Sequence, residues 1–434
     1  MRFKIQITLR MLMGLIALQS MGFGQHYFSS VLPINIQHED ARSMGMGQGM
    51  QPLILPSSNH PFNLRIDFDM QSVTETRSVP IIDMFDDTVT ENVYVVNRPK
   101  VYFIPWSLKY DAKRWINIPA TVSLSRSVFW DFRYDYSEEV RASLGPGVYN
   151  RDPVAGYHIF QRSGMIHSTR FSVAVQPLLS LNIGLSFEAL SGQDITQEYG
   201  VHVLQVDEAL AADTTDVANY NITADRISRW AIDMDYIMNK SLTLSLSMKP
   251  PITFTFKTDG FIPSKNERTQ LPELIKADSL SEYSIPIPSE YSLGFTAQLV
   301  NKIKTIANGH ITYSDWSKND QIMFKNAVFD TVSYNYKPTW SFHMGVEHWI
   351  LDQTPFRFGF SYIGSPLGEE FEQTRITLGT GWSFEQFILD VGTTFGRTEY
   401  RYTDLFIPIG QEAIHLEEVR EATFSLKASL TYLF

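Results

Sequence analysis

The chain has 434 residues, a formal charge of −11, 13% aromatic residues and no cysteine. Without thiols there is no disulfide framework, thiolate metal site or lipidated cysteine, and the acidic balance argues against nucleic acid as a partner. No stretch after Leu18 approaches the roughly 18 consecutive apolar residues of a membrane helix.

Residues 1–24 read as a secretory signal: Arg2, Lys4 and Arg10 surround the start of an apolar run from Met11 to Leu18, and Gly22 and Gly24 suit a cut before Gln25. Removing those cations leaves the exported chain more acidic still. An exported chain with alternating segments and no membrane helix is expected to be a secreted β-domain or an outer-membrane barrel.

Residues 25–61 show no sustained alternation. They hold Arg42-Ser43-Met44-Gly45-Met46-Gly47-Gln48-Gly49, whose glycines match neither the dinucleotide nor the P-loop spacing. A short helix from Glu39 followed by a Gly/Met turn is expected, in a segment placed to plug a barrel as a hatch.

From Phe62 the chain alternates, with Phe62, Leu64, Ile66, Phe68 and Met70 on one face and Asn63, Arg65, Asp67 and Asp69 on the other. A second strand, from Asn92 to Leu108, is interrupted by Pro99 and Pro105, which cannot donate to a ladder. The third carries Val122, Leu124, Val128, Trp130, Phe132, Tyr134 and Tyr136 in one phase, with Arg126 as the single charge in that phase. Further strands follow near Tyr157–Val175, Leu181–Phe187, Trp230–Met238, Leu242–Met248, Tyr291–Leu299, Ile303–Trp316, Trp340–Ile350, Phe356–Tyr362, Arg375–Trp382 and Phe387–Tyr400. The last, Ala422 to Phe434, sets Phe424, Leu426, Ala428, Leu430, Tyr432 and Phe434 against serines, threonines and Lys427.

The count is about fourteen, and from the fourth strand onward short and long connections alternate, as in a barrel with short periplasmic turns and longer outer loops. The expected fold is all-β: a transmembrane antiparallel β-barrel over residues 62–434 behind a hatch at 25–61. A terminal aromatic in the apolar phase suits a closing strand that the barrel-assembly machinery handles, with outer-membrane lipid against its face.

Four stretches resemble the FadL/TodX family of outer-membrane transporters for long-chain fatty acids and hydrocarbons. They are Ala41-Arg42-Ser43-Met44-Gly45-Met46-Gly47, Asn59-His60-Pro61, Tyr313-Ser314-Asp315-Trp316-Ser317, and Phe356 to Tyr362 with Ser365-Pro366. The resemblance implies a barrel with an N-terminal hatch, passive uptake of hydrophobic small molecules and a side opening at a kinked third strand. Here no Gly or Pro lies between Ala120 and Tyr136 to mark such a kink.

An apolar tail with a polar head needs an apolar pocket with a few polar groups. Phe261, Ile262, Leu271, Leu274 and Ile275, in the loop after the seventh strand, are candidates for a capture surface or for packing between loops. Pro99 and Pro105 are candidates for an interruption of the wall. The scattered histidines form no nucleophile elbow or metal pair, so no enzyme, cofactor or metal is expected. His343, on the polar face of the tenth strand, suits a lumen hydrogen bond. The alternative function is a PorV-like barrel serving a protein secretion system.

Overall fold

A computed structural model describes residues 27–32, 40–48, 53, 61–85, 87–113, 117–142, 152–205, 218–277, 279–299, 304–318, 320–325, 331–351, 354–406 and 416–434. The expected signal, Gly49, Asn59 and His60 lie outside these residues.

The described residues form a closed antiparallel barrel of fourteen wall strands. The first is Phe62–Ile82, and the second runs in three pieces, Thr88–Asn97, Lys100–Phe103 and Trp106–Asp111. The third is Ala120–Asp131 continued by Tyr134–Arg141, the fourth Val154–Leu178 and the fifth Leu181–Val203. The sixth to tenth also come in pieces: Ala218–Ala224 with Ile227–Asn239, Leu242–Lys249 with Ile252–Thr258, Ser281–Ile287 with Glu290–Leu299, Thr305–Ser314 with Gln321–Lys325, and Thr331–Ser333 with Thr339–Leu351. Thr354–Ile363, Gln373–Ser383, Phe387–Tyr402 and Glu417–Leu433 complete the wall.

Closure is made by the first and last strands, paired from Asn63↔Leu433 to Ser78↔Glu418. The Phe434 amide extends that ladder by donating to Phe62 O at 2.9 Å, and the ring stands edge-on to Tyr432. Closure removes the open edge that hydrocarbon could not satisfy. Behind it, Lys427 and Asp69 form a fully buried ion pair at 3.1 Å.

The expected alternation holds through the membrane belt. Phe171, Phe187, Trp230, Leu246, Phe358 and Leu430 are exposed on the outer face, while Ser186, Ser247, Arg357, Ser429 and Lys427 are buried on the inner face. Above the belt the strands run further than their periodicity suggests. The first reaches Ile82 and the fifth Val203, and the stretches between the expected strands at 191–225, 257–290 and 317–338 contribute further strand.

There the faces also exchange. In the seventh strand Ser245 and Ser247 face inward, but after Pro250-Pro251 the inward residues are Ile252, Phe254 and Phe256. The neighbouring eighth strand makes the matching change at Pro288, with Tyr283, Ile285 and Ile287 inward above it and Ser292 below. The third strand differs from the sequence reading in the same way. A register shift between Val128 and Trp130 inserts Phe129 as an extra residue, and one residue is enough to reverse every later side chain. Trp130, Phe132, Tyr134 and Tyr136 therefore enter the lumen instead of sharing the lipid face of Val122 and Leu124.

Deleting Phe434 should lower the amount of folded, heat-modifiable barrel, read on gels of unheated membranes. Leu244→Arg, on the lipid face, should cost about 2–4 kcal/mol near the bilayer midplane, whereas Ser245→Arg should be tolerated better. Equal losses of folded barrel at both positions would contradict the assigned faces.

Candidate functional site

The lumen has two chambers of opposite character. The outer one is an apolar cluster in which Trp130 stacks on Phe132 at 4.8 Å and meets Phe254 and Phe256 edge-on, with Tyr283, Ile285 and Ile322 around them. Beside it, with Leu367 packed against both, stands a second aromatic cluster built on Tyr134, Tyr136, Phe160, Tyr400 and Tyr402. The N-terminal turn Tyr27–Ser30 is buried between these clusters: Tyr27 contacts Tyr134 and Tyr402, Val31 and Leu32 join the first cluster, and the Trp130 indole donates to Ser29 O at 2.7 Å.

The inner chamber is charged but mostly paired. Glu188 accepts from Arg170 and Arg229, Lys249 meets Glu290 at 2.6 Å, and Arg357 bridges Glu347 at 2.7 Å and Asp390 at 2.8 Å. A cavity of about 590 Å³ lies between this chamber and the N-terminal segment, touching Phe28, Leu32, Asp40 and Leu53 of that segment.

The short helix Ala41–Gly45 lies on the wall of the last strands. Its N-cap, Asp40, accepts from the Ser43 amide at 2.8 Å and pairs with Arg65 at 3.2 Å. Burial pushes the Asp40 carboxyl up, but Arg65, the Ser43 amide and Lys109 outweigh it and hold the pKa below the usual range. This contribution is therefore present above the ordinary carboxylate pKa and is lost only as the pH falls through the lowered one.

Beneath the helix and its turn, Gly345, Gly359, Gly379 and Gly392 leave room for backbone against backbone. A Cβ on Gly345 would stand 2.1 Å from Met46 O, and one on Gly392 2.4 Å from Ala41 O. The bed also bonds the segment: the Ala41 amide donates to Ser429 Oγ, Thr377 Oγ1 donates to Gly45 O and accepts from the Gly47 amide, and His343 Nδ1 and Ser361 Oγ both donate to Gly47 O at 3.0 Å. Arg42 adds a two-pronged contact to Glu347, at 3.0 and 2.8 Å. His343 thus makes the lumen hydrogen bond its position suggested, with the Gly/Met turn as acceptor.

A seam opens in the wall between the second and third strands. Their ladder runs from Asp111↔Thr121 to Trp106↔Arg126 and stops there. Above it, among the described residues, Lys100–Phe103 has ladder pairs with the first strand alone and the third strand from Ser127 onward with the fourth alone, the next link across being the Ser137 amide, which donates to Asn97 Oδ1 at 3.4 Å. Pro105 stands at the foot of this stretch and Pro99 within it, each bonded through its carbonyl to the first strand. Side chains cover the opening: Val101, Phe103 and Val128 pack together with Met165, and the Arg133 guanidinium, held by Asp131, lies 4.6 Å over the Phe103 ring.

The third strand itself breaks at Phe132-Arg133 without Gly or Pro. A run of aromatics interrupted by Asp131 and Arg133 was the available signal, and it reads equally as an alternating strand. Of the loop residues, Phe261 and its hairpin Phe261–Lys265/Pro272–Lys276 fold over the outer chamber. Phe261 is 8% exposed and Ile262, Leu271 and Leu274 pack on the two clusters, leaving Ile275, at 37%, on the surface.

The family model described as outer membrane protein transport protein (OMPP1/FadL/TodX) matches residues 167–401, more than half of the chain. The chain belongs to this family. Its location is the bacterial outer membrane. Among solved structures, this FadL/TodX member is similar to a Pseudomonas aeruginosa FadL homologue at 13% identity and a TM-score of 0.60, covering 95% of this chain and 100% of that one. It is also similar to the Ralstonia pickettii toluene transporter TbuX (11% identity, TM-score 0.52, covering 92% and 99%) and the P. putida toluene transporter TodX (10%, 0.51, covering 92% and 99%). At these identities the likeness is one of fold. No curated protein sequence matches the chain.

Gly345→Val should push the Met46 carbonyl off the wall while leaving the barrel folded. Leakage of small polar solutes across the outer membrane should then rise several-fold, roughly the scale expected when a packed contact is lost. Unchanged leakage with the folded band intact would show that the segment does not close the lumen.

Proposed function

We propose that this chain is a passive uptake channel for hydrophobic and amphipathic small molecules, in which residues 25–61 act as a hatch and the seam is the exit. The observation that carries the reading is the seam itself, set beside a cavity that joins an apolar outer chamber to a charged inner one.

An apolar molecule gains by entering the outer chamber, where aromatic rings replace water. It gains nothing by continuing straight inward. Parting one buried ion pair of the inner chamber costs about 3–5 kcal/mol, and the hatch lies across that path on its bed of glycines. Among the described residues, no ladder pair joins the second strand to the third at the seam. Only the contacts of Val101, Phe103, Val128 and Arg133 yield, and bilayer hydrocarbon lies on the other side.

Pro99 and Pro105 keep the second strand short of donors there, which suits the role of wall interruption. The hairpin bearing Phe261, Ile262, Leu271, Leu274 and Ile275 serves as a lid whose inner face meets cargo once it lifts, with Ile275 outermost. Assembly of the closing strand, Phe434 included, falls to the barrel-assembly machinery. The family match favours transport over a secretion-system scaffold.

The chain has no cysteine of its own, so a seam staple is clean. With Val101→Cys and Val128→Cys oxidised to a disulfide, uptake of labelled toluene and dodecanoate should fall to the level of cells lacking the channel and recover on reduction. Undiminished uptake through the stapled barrel would rule the seam out as the exit.

A further inference from the structure

Arg126 faces the membrane. It follows Val122 and Leu124 on the outer side of the third strand, before the extra residue Phe129 reverses the faces, and its ladder neighbours are Trp106 and Thr169. Leu124 and Phe171, the next pair below it on that face, are exposed to lipid. A charge in the apolar belt is disfavoured, and where one stands it marks a function and calls for a partner.

The described residues offer Arg126 little. Its side chain donates to Thr169 Oγ1 at 3.4 Å, and no carboxylate among the described residues lies within ion-pair distance. One residue away along the neighbouring strand, on the lumen side, Arg170 shares Glu188 with Arg229. Trp106↔Arg126 is also the last ladder pair below the seam, and although Arg126 points outward it borders the internal cavity. The cavity therefore reaches the outer face of the wall at this residue.

We propose that Arg126 is the cargo-selecting residue of the seam, receiving the carboxylate head of an amphipathic organic acid as the molecule passes from the cavity into the bilayer. The inference rests on the uptake reading above and narrows its cargo to acids over neutral hydrocarbons. A carboxylate would supply Arg126 with the charge-assisted hydrogen bonds that the wall does not, while the apolar tail leads into lipid.

A second cation earlier on the route has the same need. Arg162, buried beside Phe160 in the outer chamber, donates to Gln197 Oε1 at 3.1 Å, but its Nε and Nη1 find no acceptor among the described residues. A neutral hydrocarbon would compensate neither arginine.

The test compares dodecanoate with its methyl ester at about pH 8, where the acid is ionised, in cells whose only hydrophobic-uptake channel is the full chain. Arg126→Leu should lower dodecanoate uptake about tenfold, the loss of one charge-assisted hydrogen bond, and leave ester uptake unchanged. Arg126→Lys, which keeps the charge, should retain most dodecanoate uptake. Folded, heat-modifiable barrel should be equal or higher in Arg126→Leu, because a lipid-facing charge has been removed.

Equal loss for both probes, no loss for either, or a fall in folded barrel would overturn the proposal in favour of a structural role against Thr169. Failure of the unmodified chain to take up either probe above channel-free cells would instead sink the uptake reading itself.

Discussion

The constraint on which this structure depends is that hydrocarbon offers no partner to a backbone amide or carbonyl. It forces the first strand onto the last, from Asn63↔Leu433 upward, and places Lys427 and Asp69 together behind the closing ladder. It also makes the seam between the second and third strands the most telling feature of the wall. A stretch without ladder bonds persists at membrane depth only where something covers it. Here the cover is a small cluster of side chains, and side chains can part without undoing the sheet.

The interior follows from where the strands reverse their faces. Below the reversals the lumen receives the polar phase of each strand, and its charges mostly pair off. Above them, the Phe129 insertion, Pro250-Pro251 and Pro288 turn the apolar phase inward and create the aromatic chamber. The Tyr27–Ser30 turn enters that chamber, while the Ala41–Gly45 helix is pinned to the wall of the last strands by glycines and by Arg42–Glu347. The pinned helix packs on the last strands, with its N-cap Asp40 reaching Arg65 of the first, while the seam opens between the second and third.

Much of the barrel was legible because period-two alternation survives wherever a strand has lipid on one side and water or charge on the other. The strand number, the closing strand and the inward phase of Ser245 and Lys427 are of this kind. Residues above the membrane belt were harder, because a strand with protein on its inner side and solvent on its outer loses that contrast. The alternation that marks the first strand fades before Ile82, and that of the fifth before Val203, for this reason.

In the sequence the aromatics from Trp130 to Tyr136 share the phase of Val122 and Leu124, because a one-residue insertion leaves no mark in composition, only in pairing. Gly345, Gly359, Gly379 and Gly392 sit on separate strands and share a purpose only once the barrel brings them under one helix. Pro99 and Pro105 were visible as missing donors, but the unpaired edge opposite them, on the third strand, has no sequence signature. Arg126 stood out as a charge in the wrong phase, and its meaning depended on where the ladder ends.

The central claim is that cargo crosses the wall at the seam and does not pass the anchored helix. Photolabelling in intact outer membranes with a diazirine-bearing alkyl carboxylate tests it most directly, with the labelled peptides located by mass spectrometry. The account predicts labels at 101–107 and 126–133, on the two edges of the seam, competed away by unlabelled dodecanoate. Labels confined to 41–48 and the glycine bed beneath it, with the seam edges unmarked, would contradict it.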